Sequence, residues 1–141
     1  MAANTTPIYS LSGQVGWNPA VLQTANTAKD GTGTVAEIFV AGANGGRVER
    51  VRSRAVGTNV ATVLRIFINN GGTNTTAANN VLYAEMTIAA TTLSETSMLL
   101  LNELPNGNDS TAFPIVLPAG YRILVTIGTS VAAGLRVTAI G

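Results

Sequence analysis

Seven carboxylates are the side chains with which this chain could perform acid–base chemistry. They are Asp30, Glu37, Glu49, Glu85, Glu95, Glu103 and Asp109. Glycoside hydrolysis needs two carboxylates at a defined separation in space, and nothing in the spacing of these seven singles out a pair. Histidine and cysteine are both absent, which excludes the catalytic triads that depend on them. Because the sequence also lacks a Walker loop, a nucleophile elbow and an HExxH motif, we expect a protein that is not an enzyme and binds no cofactor.

Turns rich in side-chain oxygen atoms are the remaining candidates for a metal site. The stretches Asp30–Thr32 and Asn106–Ser110 contain Asn and Asp side chains, whose oxygen atoms calcium can use as ligands. The same residue types are the ordinary formers of tight turns. We therefore interpret both stretches as turns and expect no metal site.

A stretch rich in arginine, Arg47–Val56, holds four of the eight basic residues. The two-residue period of a strand would place Arg50, Arg52 and Arg54 on one face, opposite a face of small and apolar residues. Such a stripe can bind phosphate or an acidic protein, or it can be a solvated face whose arginines pair with Glu49 and other neighbours. The net charge of only +1 and the lack of stacking aromatics in this stretch argue against nucleic acid. We favour a solvated face or a protein partner.

The composition predicts that part of the surface is buried against other chains. Hydrophobic residues make up 46% of the chain and charged residues 11%, compared with roughly 25% charged residues in an average soluble domain. Little surface charge therefore keeps copies apart, and we expect a homo-oligomer. No stretch is long and apolar enough to span a bilayer, and the N-terminus lacks the basic and apolar regions of a secretory signal. We expect no membrane partner.

The pattern of the chain is clearest between Phe113 and Ile127. The corner Leu117–Gly120 contains Pro118, which cannot extend a ladder, and Gly120, which can take a positive φ. After the corner, alternate residues from Tyr121 to Ile127 are apolar, which predicts a strand with one buried face and one partly exposed face.

Similar patterns predict about eight strands and no long amphipathic helix. The other strands are predicted at Ala20–Asn26, Thr34–Ala41, Arg47–Val56, Asn59–Asn69, Val81–Ala89, Ser97–Leu104 and Leu135–Ile140. The number and lengths favour an all-β fold, an eight-strand antiparallel β-sandwich of the jelly-roll type. An immunoglobulin-type sandwich is the alternative, but its Cys–Trp–Cys landmarks are missing. We place this single β-sandwich domain at residues 14–141.

Three local features carry their own predictions. The apolar run Met98–Leu101 is predicted to be buried in a strand, with a short helix as the alternative. The dipeptide Asn44–Gly45 predicts a hairpin with a type I′ turn, because both residues readily take positive φ. The loop Asn69–Asn80 is polar and glycine-bearing, and we expect it to be exposed.

Residues 1–13 carry no charge and few strong structure formers. We predict an extended N-terminal arm that is ordered only when it lies on another surface, and a frayed terminus is the alternative. Trp17, the single tryptophan, follows where the chain enters the body of the fold. We expect it to anchor a core or an interface rather than to form a platform for sugars.

The chain resembles small virion proteins of tailed bacteriophages, and among them capsid decoration proteins, also called cement or head auxiliary proteins. The features it shares are the neutral composition rich in Ala, Thr, Asn and Gly, the uncharged arm, and the ending FPIVLPAGYRILVTIG…GLRVTAIG. The resemblance implies a jelly-roll subunit, commonly trimeric, on the outside of a capsid at junctions between major capsid proteins. There it would hold the shell together against the pressure of packaged DNA, after synthesis in the host cytoplasm.

On this interpretation the arm, the exposed loops and the arginine stripe contact the partner, which is the major capsid protein. The predicted contact residues are Thr5, Pro7, Tyr9, Leu11, Trp17, Asn44, Arg50, Arg52, Arg54 and Asn74. An alternative function is a carbohydrate- or receptor-binding jelly-roll module of a phage fibre or tail tip. That function would need exposed aromatic residues to form a platform for the ligand.

Overall fold

A computed structural model describes residues 14–105 and 113–141, and these residues form an all-β fold with antiparallel pairing throughout. The ten strands are β1 (Val15–Trp17), β2 (Ala36–Val40), β3 (Gly46–Val48), β4 (Arg50–Ala55), β5 (Thr62–Asn69), β6 (Asn80–Ile88), β7 (Leu101–Leu104), β8 (Ile115–Leu117), β9 (Arg122–Ile127) and β10 (Leu135–Ile140). A 3₁₀ turn covers Ala77–Asn79. Within the described residues, no helix has the length and apolar character that a membrane span requires.

The strands pair as one long nested hairpin. β5 pairs with β6, β4 with β7, β3 with β8, β2 with β9 and β1 with β10. Two further pairings, β4 with β10 and β5 with β9, join these hairpin arms into two four-stranded sheets. The front sheet has the order β1-β10-β4-β7, the back sheet has the order β2-β9-β5-β6, and β3 and β8 form a separate pair.

Three differences explain why the described residues form ten strands and not the predicted eight. The apolar run before the corner forms a short strand of its own, β8, which pairs with β3. The stretch Arg47–Val56 is divided at Glu49 into β3 and β4, which pair with different partners. The predicted strand Ala20–Asn26 is wrong, because this segment makes a single bridge, between Leu22 and Leu135. The short strand β1 lies before it instead and pairs with the last strand of the chain.

The main hydrophobic core contains side chains from both four-stranded sheets. Its fully buried members include Leu64 and Val125 from the back sheet and Val51 and Val137 from the front sheet. They come from alternate positions of their strands, as the two-residue period predicts for sheets that pack face to face.

The other face of β9, which we predicted to be partly exposed, is buried. Leu124 and its cross-strand neighbour Phe67 are both almost completely buried, although they lie outside the main core cluster. Arg65, which belongs to this outer face of the back sheet, donates a hydrogen bond from Nη1 to the carbonyl of Asn26 at 3.5 Å. The loop after β1 is thus held against the outer face, which the sequence pattern of β9 alone could not reveal.

The predicted burial of Met98–Leu101 is wrong for three of its four residues. Met98 is 80% exposed and Leu100 is 52% exposed, and β7 begins only at Leu101. Leu99 is half-buried and packs against the core. The chain before β7 turns at Ser94, whose Oγ accepts hydrogen bonds from the backbone N–H groups of Thr96 and Ser97. The other three apolar side chains of the run are thus exposed beside an edge strand.

The predicted turn at Asn44–Gly45 is present, but it is not of type I′. The N–H of Gly45 bonds to the carbonyl of Gly42 at 3.0 Å, so Gly45 is the last residue of a four-residue turn. Gly45 has a φ of 82°, and all described residues with a positive φ are glycines. In this turn Gly45 therefore takes the left-handed conformation and Asn44 does not, although a type I′ turn would require it of both.

Candidate interaction surface

Four of the predicted contact residues lie on one face of the front sheet. Trp17 belongs to β1, and Arg50, Arg52 and Arg54 belong to β4. Of the remaining predicted residues, Thr5, Pro7, Tyr9 and Leu11 lie outside the described residues. Asn44 and Asn74 lie in loops. The fold thus places the tryptophan and the arginine stripe, which are more than thirty residues apart in sequence, on a common surface.

We call the outward surface of the front sheet the Trp–Arg face. Its members are Val15, Trp17, Arg50, Arg52, Arg54, Leu101, Glu103, Arg136, Thr138 and Ile140. Backbone pairing sets Trp17, Thr138 and Arg52 side by side across three strands. The same pairing places Glu103 next to Arg52 on the fourth strand. The surface is therefore a continuous row of side chains on hydrogen-bonded strands.

The alternation predicted for the arginine stripe is confirmed. Val51, Ser53 and Ala55 are buried, whereas the arginines between them are exposed or half-buried. Apolar and small side chains pack inward, and this leaves the guanidinium groups on the outer side of the same strand. The burial of the inner positions thus fixes the direction of the three arginines.

The charges on the Trp–Arg face are only partly neutralised. Arg50 Nη1 lies 3.5 Å from Glu103 Oε1, and the Arg52 guanidinium binds the other oxygen of the same carboxylate. Arg54 has no ion-pair partner among the described residues, and its cross-strand neighbour is another cation, Arg136. Four arginines therefore share the face with one glutamate, so it is positive although the whole chain carries a net charge of only +1.

Glu49 pairs with an arginine of the predicted stretch, but with Arg47 and not with the three outward arginines. Its carboxylate pairs with Arg47 Nε at 3.3 Å, outside the run of three outward arginines. Exposed ion pairs of this kind contribute at most about 1 kcal/mol to stability. The surplus of cations on the Trp–Arg face is therefore available to an acidic partner.

Trp17 is held firmly although its side chain is 58% exposed. The next residue, Asn18, is completely buried and ties β1 to the end of the front sheet. Its Nδ2 donates to the carbonyl of Leu135 at 3.0 Å, and its Oδ1 accepts from the N–H of Val137 at 2.8 Å. A large aromatic side chain on an ordered edge strand is a typical anchor of a protein interface.

A groove of about 920 Å³ lies beside Trp17, between the edge strands β1 and β2. Its lining includes Trp17, Pro19, Glu37 and Val40. The two strands approach so closely at Gly16 that a Cβ atom there would lie 2.0 Å from the carbonyl oxygen of Ile38. Only glycine fits at this position, where the backbones of the two edge strands meet.

The two loop residues among the predicted contacts differ in their surroundings. Asn44 is exposed in the turn Gly42–Gly45. Asn74 is half-buried, and its Nδ2 donates to the carbonyls of Gly31 at 3.2 Å and Gly33 at 2.8 Å. The amide donors of Asn74 therefore hold two loops of the same chain together.

The stretch Asp30–Thr32 forms a turn, as its residue types predict. The Asp30 carboxylate accepts hydrogen bonds from the hydroxyl of Thr32 at 2.6 Å and from the N–H of Thr32 at 3.1 Å. These hydrogen bonds favour the charged form and lower the pKa of Asp30. No cluster of three or more acidic residues that could hold a metal ion occurs in the described part of the chain.

No protein-family model matches the chain, and neither the curated proteins nor the solved structures include a match.

The sequence analysis identified the tryptophan and the arginine stripe but missed the groove and the exposed side chains of Met98, Leu100 and Leu101. Gly16 and Ile38 belong to different sheets, so no local sequence pattern predicts their close approach.

Proposed function

We propose that the protein is a structural component of a tailed-bacteriophage virion, which binds the outer surface of the capsid and stabilises contacts between major capsid proteins. In this role it acts as a symmetric homo-oligomer, with a trimer favoured, and needs no cofactor, nucleic acid or membrane. It is made in the host cytoplasm and resides on the assembled particle. The single observation that carries the proposal is the Trp–Arg face, an exposed surface on a rigid sheet.

The strand order supports a jelly roll as the fold of this subunit. When β3 and β8 are set aside, eight strands remain in two sheets, and each of them has one partner within a single nested hairpin. Successive pairs of that hairpin alternate between the front and back sheets. This is the arrangement expected when two Greek keys fold into a double sheet. A stiff double sheet suits a subunit whose task is to resist deformation.

The residue types on the Trp–Arg face are those that dominate protein interfaces. Tryptophan and arginine are the side chains most often found among the residues that contribute most to binding. The positive surplus fits a capsid surface with exposed carboxylates, and Trp17 with Val15 supplies apolar area at the same site. Because a decoration protein binds in many copies, even a modest contact per subunit becomes strong when one oligomer uses several subunits at once.

Substitution of Trp17 by alanine should weaken binding to capsids about 30-fold, which corresponds to about 2 kcal/mol for the loss of an exposed aromatic anchor. Co-sedimentation of the purified variant with empty capsids measures this effect. Val116→Ala is the matched control, because Val116 is 72% exposed but lies on the separate β3–β8 pair. Equal binding by the Trp17 and Val116 variants would remove the Trp–Arg face from the proposal.

The resemblance also implies contacts by the N-terminal arm. Deletion of residues 2–13 should weaken capsid attachment and leave the unfolding temperature close to that of the full chain. Co-sedimentation and thermal unfolding of the same preparation separate the two effects. Undiminished capsid binding by the truncated chain would show that the arm has no role in attachment.

The exposed indole beside the groove is the observation that favours the alternative, a carbohydrate- or receptor-binding module of a fibre or tail tip. An aromatic face next to a groove can stack on a sugar ring. A second aromatic residue, Tyr83, gives little support, since it is half-buried and packs edge-on against Phe113 with ring centres 6.1 Å apart. Binding to a glycan array without binding to capsids would favour the alternative.

A further inference from the structure

We propose that copies of this chain associate head to tail, with the apolar tip Met98–Leu101 of one copy seated in the β1–β2 groove of the next. The inference rests on the homo-oligomer of the proposed function and assigns its interface. It does not depend on the capsid, because both halves of the contact belong to this chain. The occupant of the groove is thus a second copy.

The tip is a segment at one edge of the sandwich in which Leu99 packs against the core and the other three apolar side chains are exposed. Met98, Leu100 and Leu101 are 80%, 52% and 36% exposed. The segment before the tip is fixed, because the N–H of Leu93 bonds to Thr58 Oγ1 at 3.0 Å and Ser94 closes a turn with its hydroxyl. Large apolar side chains that are presented together in this way mark a surface that another molecule covers.

The groove has the complementary shape at the opposite edge. It is concave, has a volume of about 920 Å³, and is lined mainly by apolar or small side chains, including Trp17, Pro19 and Val40. β1 and β2 are edge strands, each paired on one side only. A methionine and a leucine from a neighbour would fill the groove between β1 and β2 and leave the outward surface of the front sheet open to the capsid.

The charges of the two surfaces are compatible. Glu37 is the single charged residue among the described ones that line the groove; its Oε2 pairs with Arg122 Nη1 of the same chain at 3.3 Å, and its side chain is 43% exposed. One carboxylate can bind two arginines, as Glu103 does with Arg50 and Arg52. Beside the tip, Leu101 pairs in register with Arg54, the arginine without an ion-pair partner among the described residues. Seating the tip in the groove would let Arg54 of one copy share the Glu37 carboxylate of the next.

The positions of the two surfaces determine the symmetry. β1 and β7 are the two ends of the front sheet, and β2 is an end of the back sheet on the β1 side. A two-fold dimer would pair a surface with itself and leave the other exposed in both copies. A head-to-tail contact gives a closed ring when the rotation between neighbours closes and an open filament when it does not. We assign the closed ring, of three or more subunits, because it covers both surfaces in every copy and agrees with the trimer favoured in the proposed function.

Engineered cysteines test the contact directly, because the natural chain contains no cysteine. The double variant Val40→Cys/Met98→Cys places one thiol at the groove and one at the tip. Treatment with a short bis-maleimide should give a ladder of covalent species on a denaturing gel that ends at the ring size. Each single-cysteine variant, treated in the same way, should stay at the monomer position.

Three results would overturn the inference. A covalent dimer from either single variant would indicate a two-fold contact, and a double variant without cross-links between chains in an oligomeric preparation would place the interface elsewhere. A monomeric native mass would also overturn it. Capsid co-sedimentation by such a monomer would leave the capsid-binding part of the proposed function intact, so the two failures can be told apart.

A charge at the tip provides an independent measurement. Met98→Asp should raise the dissociation constant of the oligomer at least about ten-fold, since a carboxylate would enter an apolar groove beside Glu37. Val116→Asp is the matched control, with a similarly exposed apolar side chain outside both surfaces. Native mass at a series of concentrations gives the two constants. Equal constants for both variants would refute the assigned contact.

Discussion

Phe67→Ala should lower the free energy of unfolding by about 3–5 kcal/mol, the usual cost of removing a fully buried phenylalanine. Phe67 has no measurable exposure and lies opposite Leu124 on the outer face of the back sheet. The lost free energy has two parts: less apolar surface is removed from water on folding, and the missing ring leaves a cavity. Equilibrium unfolding in urea measures the change.

The control for this substitution is Phe67→Leu, which keeps most of the apolar volume. It should cost less than about 1.5 kcal/mol, because exchanges that nearly conserve volume are tolerated best. A loss below about 1 kcal/mol for Phe67→Ala would contradict the burial of this face. It would mean that the outer face of the back sheet around Phe67 is open to water in solution.

Asn59→Ala should be the most damaging substitution of a polar residue, with a loss of about 3 kcal/mol. Asn59 is 5% exposed and stands where three connections meet. Its Nδ2 donates to the carbonyl of Gly134 at 2.9 Å, and its Oδ1 accepts from the N–H groups of Ala133 at 2.7 Å and Gly134 at 3.2 Å. Alanine would remove the partner of the two N–H groups, whereas the Gly134 carbonyl keeps its hydrogen bond from the N–H of Val56 at 3.0 Å. Two unsatisfied groups at about 1–3 kcal/mol each account for the expected loss.

The matched control for Asn59 is Asn70→Ala. Asn70 is exposed, and its amide also makes two hydrogen bonds, to Asn79 at 3.2 Å and from the N–H of Gly72 at 3.0 Å. Water can replace both partners there, so we expect a change within about 0.5 kcal/mol. Similar losses for the two variants in thermal or urea unfolding would refute the special role of Asn59.

Strands with a clear two-residue period were predictable from the sequence. The direction of Arg50, Arg52 and Arg54 followed from the buried positions between them, because a strand alternates its faces whatever its partners are. The corner at Pro118 and Gly120 was predictable for a local reason, and Gly120 has the positive φ of 79° that it can adopt without strain.

Features that depend on distant residues were not predictable. Asn18 and Asn59 look like ordinary polar residues, yet each bonds to backbone groups more than seventy residues away. The strand β1 is three residues long and exists because β10 offers it a partner. A local pattern contains no information about such pairings.

The error at Met98–Leu101 has a different physical origin. An apolar run predicts burial because apolar surface is driven out of water, but this driving force does not depend on which molecule supplies the cover. Here Leu99 and Leu104 pack against or into the chain's own core, and Met98, Leu100 and Leu101 are left exposed. The low charge of the whole chain points in the same direction, towards cover by other chains.

Some parts of the candidate surface were predictable from residue type, and others depend on the pairing of distant strands. Residue types identified Trp17 and the arginine stripe, since both are typical of interfaces wherever the fold places them. Their union on one sheet required the pairing of β1 and β4 with β10, the last strand of the chain. The groove required the meeting of two edge strands from different sheets.

The most direct test of the central claim is the protein composition of phage capsids purified from infected cells. If the protein is a capsid-stabilising virion component, quantitative mass spectrometry should find it at a fixed ratio to the major capsid protein in every preparation. Protease treatment of intact capsids should reach it from the outside. Its absence from purified particles, while it is abundant in the same lysate, would contradict the proposed function.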